Sequence, residues 1–441
     1  MELPVINLMD ERVSSLQPSE IPDWHPFVVE GEQYLFVTDA SRVYHIGKER
    51  SLPIDTAFIR ELDLPILNAV KDQPLESHPV TALSLAISQK CNLGCTYCYA
   101  EGGSFGGAPK NMPSAVALNS VRRLLAEPRR GGEKVNLAFM GGEPLLNREV
   151  LRATTIFASR KAREKGVALG LSVTTNGTLL TEEDARFFED FGFAVTISLD
   201  GIGETHDALR PFKNRRGSFQ HIMNRIEPFL NMQKQMQVSA RVTVTSSNLD
   251  LNSTLNWLLK QGFHSVGFSP LLASASGCNE MNEASLDLML EQLKKCGESF
   301  EKAVLNGRRF GFSNLINAMQ EIHQGTHRPY PCGAGAGYFG VSADGDLFAC
   351  HRFVDDENGL LGDLENGIDE DRQKAWLSNR HVQQQSPCKQ CWARYLCGGG
   401  CHHEVMARGR FGCKFIRGWL DYCLKCYVRL LNNKPGYFES E

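Results

Sequence analysis

Three cysteines close together in the sequence are the residues best suited to do chemistry in this chain. Cys91, Cys95 and Cys98 follow a C-x3-C-x2-C pattern directly after an apolar, strand-like run at residues 83–87. A [4Fe–4S] cluster normally takes four cysteine thiolates, so a loop with three leaves one iron open to a small molecule, as a catalytic zinc keeps one position open. The alternative is a structural zinc site, but such sites usually draw four ligands from paired knuckles. The spacing therefore favours an iron–sulfur cluster.

The elements that must position this loop alternate between strands and helices from residue 79 to about residue 270. Apolar, β-branched runs predict six strands, at 83–87, 135–140, 171–175, 194–199, 238–244 and 265–271. Helix-like segments fall between them, for example at 114–126, 148–165, 182–191 and 219–231. This alternation implies an α/β fold with a parallel sheet and right-handed crossovers. The count fits an open, TIM-like partial (β/α)6 barrel, in which chemistry gathers at the C-terminal ends of the strands.

A glycine-rich motif ends the second predicted strand. In Gly141-Gly142-Glu143-Pro144, the paired glycines allow a backbone approach to a ligand that a Cβ would obstruct. Glu143 then supplies an acceptor for an ammonium group. We expect this motif to lie beside the Cys loop, at the same end of the sheet.

Two arginines near the ends of the fourth and fifth strands could bind a carboxylate, because a guanidinium matches it in a bidentate fork. Arg210 follows the fourth strand, and Arg241 alternates inward on the fifth. The alternative for Arg210 is a surface ion pair. His206 and Asp207 could contribute to the site, or could simply cap and orient the loop.

Most of the remaining cysteines cluster after residue 331. The pattern runs C-x12-G-x4-C, then C-x2-C-x5-C-x3-C, with three late cysteines beyond. Gly345 fits a tight hairpin turn between strands at 340–342 and 347–349, which would carry Cys332 and Cys350 to one cluster. Zinc ribbons are the alternative for the C-x2-C part.

Together these motifs resemble the radical S-adenosylmethionine (SAM) superfamily, with the C-terminal SPASM extension of peptide maturases, over about residues 80–430. The resemblance implies that SAM fills the open iron, and that one electron cleaves it to methionine and a 5′-deoxyadenosyl radical that abstracts hydrogen. It implies that Glu143 holds the SAM amine, that Ser198 and Arg210 hold the ribose and carboxylate, and that Leu271 packs on the adenine. The implied SAM-binding set is Tyr97, Gly141, Gly142, Glu143, Pro144, Asn176, Ser198, Asp200, Arg210, Arg241 and Leu271.

The resemblance also implies two auxiliary [4Fe–4S] clusters, and therefore three clusters in all. The first would use Cys332, Cys350 and Cys401. Sulfatase-maturing relatives have a further ligand about six residues earlier, where this chain has Thr326 and then His327. The first cluster would therefore bind substrate sulfur at the vacancy or recruit Cys278. The second would use Cys388, Cys391, Cys397 and one late cysteine, for which Cys413 is preferred over Cys423 and Cys426.

Within the superfamily, the runs Cys397-Gly-Gly-Gly-Cys-His-His-Glu404 and Phe415-Ile-Arg-Gly-Trp-Leu-Asp-Tyr-Cys423 are most similar to maturases of the quinohemoprotein amine dehydrogenase small subunit. This resemblance implies a peptide-modifying oxidoreductase that forms thioether crosslinks from Cys to Asp or Glu carbons in a small partner protein. The alternative is an anaerobic sulfatase maturase, which oxidises Cys or Ser to formylglycine. A non-catalytic iron–sulfur scaffold would not need the SAM motifs. The expected partners are a Cys-containing peptide and a reductant such as flavodoxin or ferredoxin.

Composition narrows the function further. The formal net charge is −4 and no Lys or Arg block stands out, which disfavours nucleic acid. The absence of a leader and of any apolar run of about 18 residues predicts a cytoplasmic protein without a membrane partner, and fourteen cysteines then indicate metal chemistry.

We expect four segments along the chain. A small N-terminal α+β domain covers 1–78, with strands at 34–38 and 42–46 and a helix at 55–62; it either holds a leader peptide or caps the barrel. The barrel covers 79–275, a helical linker covers 276–330, and the auxiliary-cluster domain covers 331–441.

Overall fold

The computed structural model describes residues 5–7, 24–48, 79–126 and 134–439. Its N-terminal part is a four-stranded sheet in the order β1-β4-β3-β2. The strands are β1 (Val5–Asn7), β2 (Trp24–Val29), β3 (Glu32–Val37) and β4 (Arg42–Gly47). The strands predicted at 34–38 and 42–46 are confirmed as β3 and β4. The helix predicted at 55–62 lies outside the described residues.

This N-terminal sheet lies against the cysteine-rich C-terminal part of the chain. The His25 ring stacks on Trp392 with ring centroids 3.9 Å apart, and its Nε2 lies 2.9 Å from Oδ1 of Asp421. The hydroxyl of Thr38 donates to the carbonyl of Trp392 at 2.9 Å. Because Trp392 directly follows Cys391, the sheet packs next to one of the predicted cluster ligands.

The six strands predicted for the barrel all form. In sheet order they are β5, β7, β8, β9, β10 and β11, and each adjacent pair is parallel. A short strand, β6, pairs antiparallel with the end of β5. Their bounds are β5 (Ala82–Gln89), β6 (Lys110–Asn111), β7 (Lys134–Gly141), β8 (Ala168–Thr175), β9 (Ala194–Ser198), β10 (Gln237–Val244) and β11 (Ser265–Pro270).

Along most of the barrel strands, buried apolar residues alternate with more exposed residues. Helices cover the face of the sheet that carries the buried apolar residues. On β10, Val238, Ala240, Val242 and Val244 are buried in the core, whereas Arg241 lies on the opposite face, toward the barrel interior. The predicted helices between the strands are confirmed. The helices up to residue 324 are α1 (Ser114–Leu124), α2 (Arg148–Glu164), α3 (Glu182–Asp190), α4 (Glu204–Leu209), α5 (Phe219–Met232), α6 (Leu251–Lys260), α7 (Glu283–Leu305) and α8 (Ser313–Gln324).

The C-terminal part extends the same sheet. Strand β12 (Tyr338–Val341) pairs in parallel with β5, and it continues through the antiparallel strands β13 (Asp346–Phe348), β14 (Leu360–Asp363) and β15 (Gly367–Ile368). The hairpin predicted around Gly345 is therefore confirmed, and the φ of 102° at this residue is one that glycine adopts readily. The barrel sheet thus runs across the boundary predicted near residue 331.

Four further helices follow: α9 (Glu370–Arg380), α10 (Arg394–Cys397), α11 (His402–Arg408) and α12 (Cys413–Asn433). The long helix α12 packs against α7 and α8. Across the part of the chain that is described, no helix combines the length and apolar character needed to cross a bilayer.

Candidate active site

The loop with the first three cysteines begins two residues after β5 and is held against the segment that carries Arg210. The amide of Gly94 donates to the carbonyl of Pro211 at 2.8 Å, and that of Thr96 donates to the carbonyl of Leu209 at 3.1 Å. These backbone bonds on both sides of Arg210 fix the loop at the C-terminal ends of the strands.

The three thiols of this loop share one electrostatic environment. Burial raises the pKa of Cys91, and the charge of Cys98 raises it as well. Burial also raises the pKa of Cys95 to about 12, although the guanidinium of Arg210 acts in the opposite direction. All three side chains remain partly accessible. Thiols with such raised pKa values need a bound cation to become thiolates, which is what coordination to iron provides.

A single metal ion is a different case from a cluster. Among the residues described, no three His, Cys, Asp or Glu side chains converge to hold one ion. The ligands of an iron–sulfur cluster lie farther apart than those of a single ion, because each thiolate binds a different iron. The three neighbouring, partly accessible thiols of the loop fit that arrangement.

The glycine-rich motif packs against the Cys loop itself. A Cβ on Gly141 would lie 2.2 Å from the carbonyl oxygen of Ser88, and one on Gly142 would lie 2.3 Å from that of Lys90. The paired glycines thus permit close approach of the protein's own backbone, and their approach to a ligand stays a prediction.

Glu143 is fully buried, and both its carboxylate oxygens already accept hydrogen bonds. Oε1 accepts from the Thr175 hydroxyl at 2.7 Å and from the amide of Leu145 at 3.1 Å, and Oε2 accepts from the amide of Asn176 at 2.7 Å. Burial raises its pKa, while these bonds oppose the rise. Glu143 therefore ties β7 to the end of β8, and its role at the SAM amine stays a prediction. Pro144 opens the short 3-10 helix that Glu143 caps.

Asn176, at the end of β8, contacts the cysteine loop directly. Its Nδ2 donates to Oδ1 of Asn92 at 2.9 Å and lies 3.7 Å from the sulfur of Cys91. Its Oδ1 accepts from the amide of Thr178 at 2.9 Å. The amide therefore orients the first cysteine, which is a role that the sequence did not specify.

Tyr97, Asp200 and Arg210 form one buried network. Nη1 of Arg210 donates to the hydroxyl of Tyr97 at 2.7 Å and lies 3.5 Å from Oδ2 of Asp200, to which Tyr97 donates. Oδ1 of Asp200 accepts from the amide of Thr243 at 2.8 Å. Burial raises the pKa of Asp200, and the charge of Arg210 opposes the rise. Arg210 therefore lies inside the site, which contradicts the surface alternative.

Nε of Arg210 is buried without a hydrogen-bond partner among the described residues. A guanidinium N–H in this state is a donor left over for a ligand, since an unmet buried donor is costly. A carboxylate would satisfy this donor, and the role of Arg210 at the SAM carboxylate stays a prediction. Leu271 packs with Tyr97 and Leu209 in a small apolar cluster beside the network.

Ser198 and Arg241 are direct neighbours on adjacent parallel strands. Ser198 is partly exposed at the end of β9, and Arg241 is exposed on the interior face of β10. Although its side chain is solvent-accessible, the protein that surrounds Arg241 in the barrel interior lowers its pKa by desolvation; the charge of Glu404 opposes this shift and that of Arg352 adds to it. Both side chains therefore line the barrel interior.

His206 and Asp207 have structural roles. Nδ1 of His206 accepts from the amide of Asp200 at 3.2 Å, and its Nε2 lies 3.0 Å from the hydroxyl of Ser218. Oδ1 of Asp207 accepts from the amides of Ser218 and Phe219, both at 2.7 Å. The two residues cap and orient the loop, as the second alternative predicted.

The thiols of the first predicted auxiliary cluster come together. Burial and the charges of Cys401 and Cys332 raise the pKa of Cys350 to about 12. Burial and the charge of Cys401 likewise raise the pKa of Cys332. The pair Cys332 and Cys350 is carried by the β12–β13 region, as the hairpin predicted.

The thiols of the second predicted cluster also come together, and Cys413 is the late cysteine among them. Burial and the charges of Cys413 and Cys391 raise the pKa of Cys388. Burial and the charges of Cys388 and Cys413 raise that of Cys397 to about 11. These four thiols line one surface cavity, which also includes Cys401. The four thiols are therefore candidate ligands of one cluster, and the second auxiliary cluster stays a prediction.

The other cysteines lie elsewhere. Cys423 and Cys426 are fully buried on α12, where Cys426 lies 3.7 Å from a carboxylate oxygen of Glu301. Cys296 is fully buried in the core. Cys278 is exposed on the loop after β11, where its neighbour Asn279 donates to the Thr96 hydroxyl at 3.0 Å.

Three residues near the cysteine groups were missed from the sequence. The ring of Tyr99 lies 5.3 Å from the guanidinium of Arg352, and Nη1 of Arg352 donates to Oε1 of Glu404 at 2.8 Å. The sequence could have indicated these three residues, because each lies within three positions of a cysteine in one of the motifs.

Comparison with known proteins agrees with this geometry. Residues 85–250 match the model of the Radical SAM superfamily. A cysteine-type anaerobic sulfatase-maturating enzyme of Clostridium novyi is 28% identical over 337 residues, covering 72% of this chain and 86% of that protein. A serine-type enzyme of Klebsiella aerogenes is 26% identical over 367 residues, covering 81% of this chain and 87% of that protein.

Among solved structures, native anSMEcpe with bound AdoMet superposes with a TM-score of 0.66 at 21% identity, covering 80% of this chain and all of that one. Streptococcus suis SuiB bound to S-adenosylmethionine gives a TM-score of 0.52 at 15% identity, covering 82% of this chain and 79% of that one. These likenesses show the fold.

The chain therefore contains a radical SAM domain. It is a radical SAM enzyme, and SAM and a [4Fe–4S] cluster are its cofactors. The sulfatase-maturating relatives support a SPASM-type maturase, but they do not support the finer resemblance to amine dehydrogenase maturases.

Proposed function

We propose that this enzyme is a peptide maturase of the anaerobic sulfatase-maturating type, which oxidises a Cys or Ser side chain of a small partner protein to formylglycine. The observation that carries the proposal is the convergence of ten cysteines into three groups, at the ends of the barrel strands and in the C-terminal extension. Two relatives that cover 81% and 72% of this chain are named as anaerobic sulfatase-maturating enzymes.

In this proposal the three groups hold one SAM-binding cluster and two auxiliary clusters. When bound, SAM and its cluster supply a 5′-deoxyadenosyl radical, which takes a hydrogen atom from the substrate. Arg210 binds the SAM carboxylate through its unpartnered Nε, and the apolar surface of Leu271 and Tyr97 keeps water from the reacting atoms.

The oxidation of Ser to an aldehyde removes two electrons and two protons from the substrate. One electron and one proton leave together in the abstracted hydrogen atom, the hydroxyl proton passes to a base or to solvent, and the remaining electron needs an acceptor. With Cys the same two-electron oxidation gives a thioaldehyde, which water hydrolyses to the aldehyde with release of sulfide. We assign this role to the first auxiliary group, because the charges of Cys98 and of Cys350 both act to raise the pKa of Tyr99. Tyr99 is therefore near the SAM-cluster loop and near the first auxiliary group. The external reductant that supplies the first electron is proposed to be a flavodoxin or ferredoxin.

Thioether crosslinking is a second candidate, and one feature favours it. The first auxiliary group has three cysteines, and Thr326 stands where a fourth ligand would be expected. A cluster with one open iron could bind and activate a substrate thiol. The crosslink would then form between that sulfur and an acidic-residue carbon.

The test is anaerobic incubation of the reconstituted enzyme with SAM, dithionite and sulfatase-type peptides that contain either Cys or Ser at the target position. Formylglycine production predicts a hydrazide-reactive aldehyde in the product peptide by mass spectrometry. The Cys91→Ala variant is the matched control, because it removes one ligand of the SAM cluster. SAM cleavage with no aldehyde from either peptide would contradict sulfatase-type maturation.

Crosslinking gives a different product from a Cys-rich, acidic peptide encoded beside the gene. It removes two hydrogen atoms for each thioether, abolishes alkylation of the thiol and leaves no aldehyde. That result would replace the first candidate with the second.

A further inference from the structure

Arg352 touches two of the three sulfurs in the first auxiliary group. Its side-chain Nη1 lies 3.9 Å from the sulfur of Cys401, and its main-chain N–H lies close enough to the sulfur of Cys350 to act to lower the pKa of that thiol. The residue follows Cys350 by two positions, whereas Cys401 is 49 residues away in sequence. The geometry of one side chain therefore joins two ligands that come from different elements.

The same guanidinium is anchored on its other sides. Nη1 also donates to Oε1 of Glu404 at 2.8 Å, and the guanidinium carbon lies 5.3 Å from the centroid of the Tyr99 ring. Both partners of the ion pair are largely buried, at 18% and 19% exposure. This restraint keeps a positive charge at a fixed place beside the sulfurs, where the surrounding protein screens it little.

Tyr99 brings this arrangement close to the SAM-cluster loop. The phenol directly follows Cys98, and its ring also lies 6.1 Å from the ring of His351. Burial raises the pKa of Tyr99, and the charge of Arg352 opposes the rise. The Tyr99–Arg352 contact therefore links the loop of the first cysteines to the first auxiliary group.

We infer that Arg352 is a positioning residue that sets the reduction potential of the first auxiliary cluster, through its N–H contacts and its charge at the sulfurs of Cys350 and Cys401. The inference rests on the proposed cluster in this group. Hydrogen bonds to the sulfurs and the net charge around them are among the factors that fix the potential of an iron–sulfur cluster. A nearby positive charge stabilises the reduced, more negative form and raises the potential.

The experiment is an EPR-monitored redox titration of the full-length, reconstituted protein. The background carries Cys91→Ala, Cys95→Ala and Cys98→Ala, so that the signals come from the auxiliary sites alone. Arg352→Gln removes the charge, and Arg352→Lys keeps the charge without the planar guanidinium. Arg410→Gln is the matched control, because Arg410 acts on Cys388 of the second group and bonds to Gln385 and Gly399.

We expect Arg352→Gln to lower the midpoint potential of one auxiliary cluster, and Arg352→Lys to give a smaller shift of the same cluster. A tenfold change in the oxidised-to-reduced ratio corresponds to about 59 mV for a one-electron couple. Arg410→Gln should leave that cluster unchanged. If Arg352→Gln loses iron, the test rests on Arg352→Lys. A lowered midpoint potential of the same auxiliary cluster in Arg352→Lys, with its iron retained, supports the inference.

Unchanged potentials in the variants that retain iron would overturn the inference, as would an equal shift from Arg410→Gln. The iron content of the background protein separates this failure from that of the proposed function. Roughly eight irons per chain, from two cubanes, with no shift contradict only the role of Arg352. No iron in the background contradicts the auxiliary clusters themselves.

Discussion

Nη1 of Arg210 donates a hydrogen bond to the hydroxyl of Tyr97 at 2.7 Å, and Tyr97 in turn donates to Asp200. This arrangement holds the guanidinium rigidly between the cysteine loop and the end of β9. Its Nε points to no partner in the described part of the chain. We therefore predict that Arg210 binds an anion at the cysteine loop.

Arg210→Lys should weaken SAM binding, because Lys keeps the charge but cannot supply the planar fork. The expected loss is on the order of 1.5–3 kcal/mol, the range for hydrogen bonds to charged groups, which is about tenfold or more in Kd. Isothermal titration with SAM under anaerobic conditions measures it. Arg186→Lys, on an exposed helix position paired with Glu182, should bind SAM as the wild type does. An unchanged Kd for Arg210→Lys would move the carboxylate role to Arg241.

Replacement of Cys91, Cys95 and Cys98 together by Ala should abolish 5′-deoxyadenosine formation and leave a folded protein. The reconstituted wild type should hold roughly twelve irons per chain, from three cubanes, and the variant roughly eight. Colorimetric iron analysis and chromatography of the nucleoside products provide the two measurements. Loss of all iron from the variant would contradict the three-cluster arrangement.

The choice of Cys413 as the fourth ligand of the second group predicts a clear difference between two late cysteines. Cys413→Ala should lower the iron content by up to four atoms per chain, one cubane. Cys423→Ala should keep the iron content, because Cys423 is fully buried in the core on α12, and should cost about 1 kcal/mol of stability. Iron analysis and urea denaturation test both. The reverse pattern of iron loss would assign the ligand to Cys423.

Ala at Cys388 or Cys391 should separate SAM cleavage from product formation. Hydrogen abstraction needs the SAM cluster, whereas completing the oxidation requires an electron to leave the substrate through the first auxiliary group and, we predict, to pass on through the second. We expect retained 5′-deoxyadenosine production and lost peptide product. Because metal ligands also contribute to folding, an unchanged circular dichroism spectrum must accompany the result. If these variants form product at the wild-type rate, the second group has only a structural role.

His206 should make the protein less stable in mild acid. Burial lowers its pKa from 6.5 to about 3, so the folded state holds His206 neutral while the unfolded state takes up a proton as pH falls below 6.5. Its contribution is fully present above that pH and is lost progressively toward pH 3. At about pH 5 the loss is about 2 kcal/mol.

Urea denaturation of wild type and His206→Asn at about pH 7 and about pH 5 tests this contribution. The variant should lose less stability than the wild type between the two conditions. Comparison within each pH cancels any effect of acid on the clusters. Equal pH dependence in wild type and His206→Asn would show that His206 does not titrate as its burial requires.

The sequence alone determined the features that depend on neighbours along the chain. The C-x3-C-x2-C spacing and the six barrel strands could be predicted because ligand spacing and apolar alternation are local patterns. The hairpin at Gly345 could also be predicted locally, because a glycine, which adopts positive φ readily, marks a turn between two apolar runs. The match of residues 85–250 to the Radical SAM superfamily agrees with that prediction.

Tertiary structure decided the features that depend on contacts between distant segments. Cys413 joins Cys388 and Cys397, whereas Cys423 faces the core, because the packing of α12 sets which of its turns meets the cysteine groups. Strand β12 adds in parallel to β5 across more than 250 residues of sequence. Glu143 is occupied by groups from β8, and Arg352 reaches Cys401 from another loop. Periodicity carries no information about such contacts, because the folding of the whole chain brings these residues together.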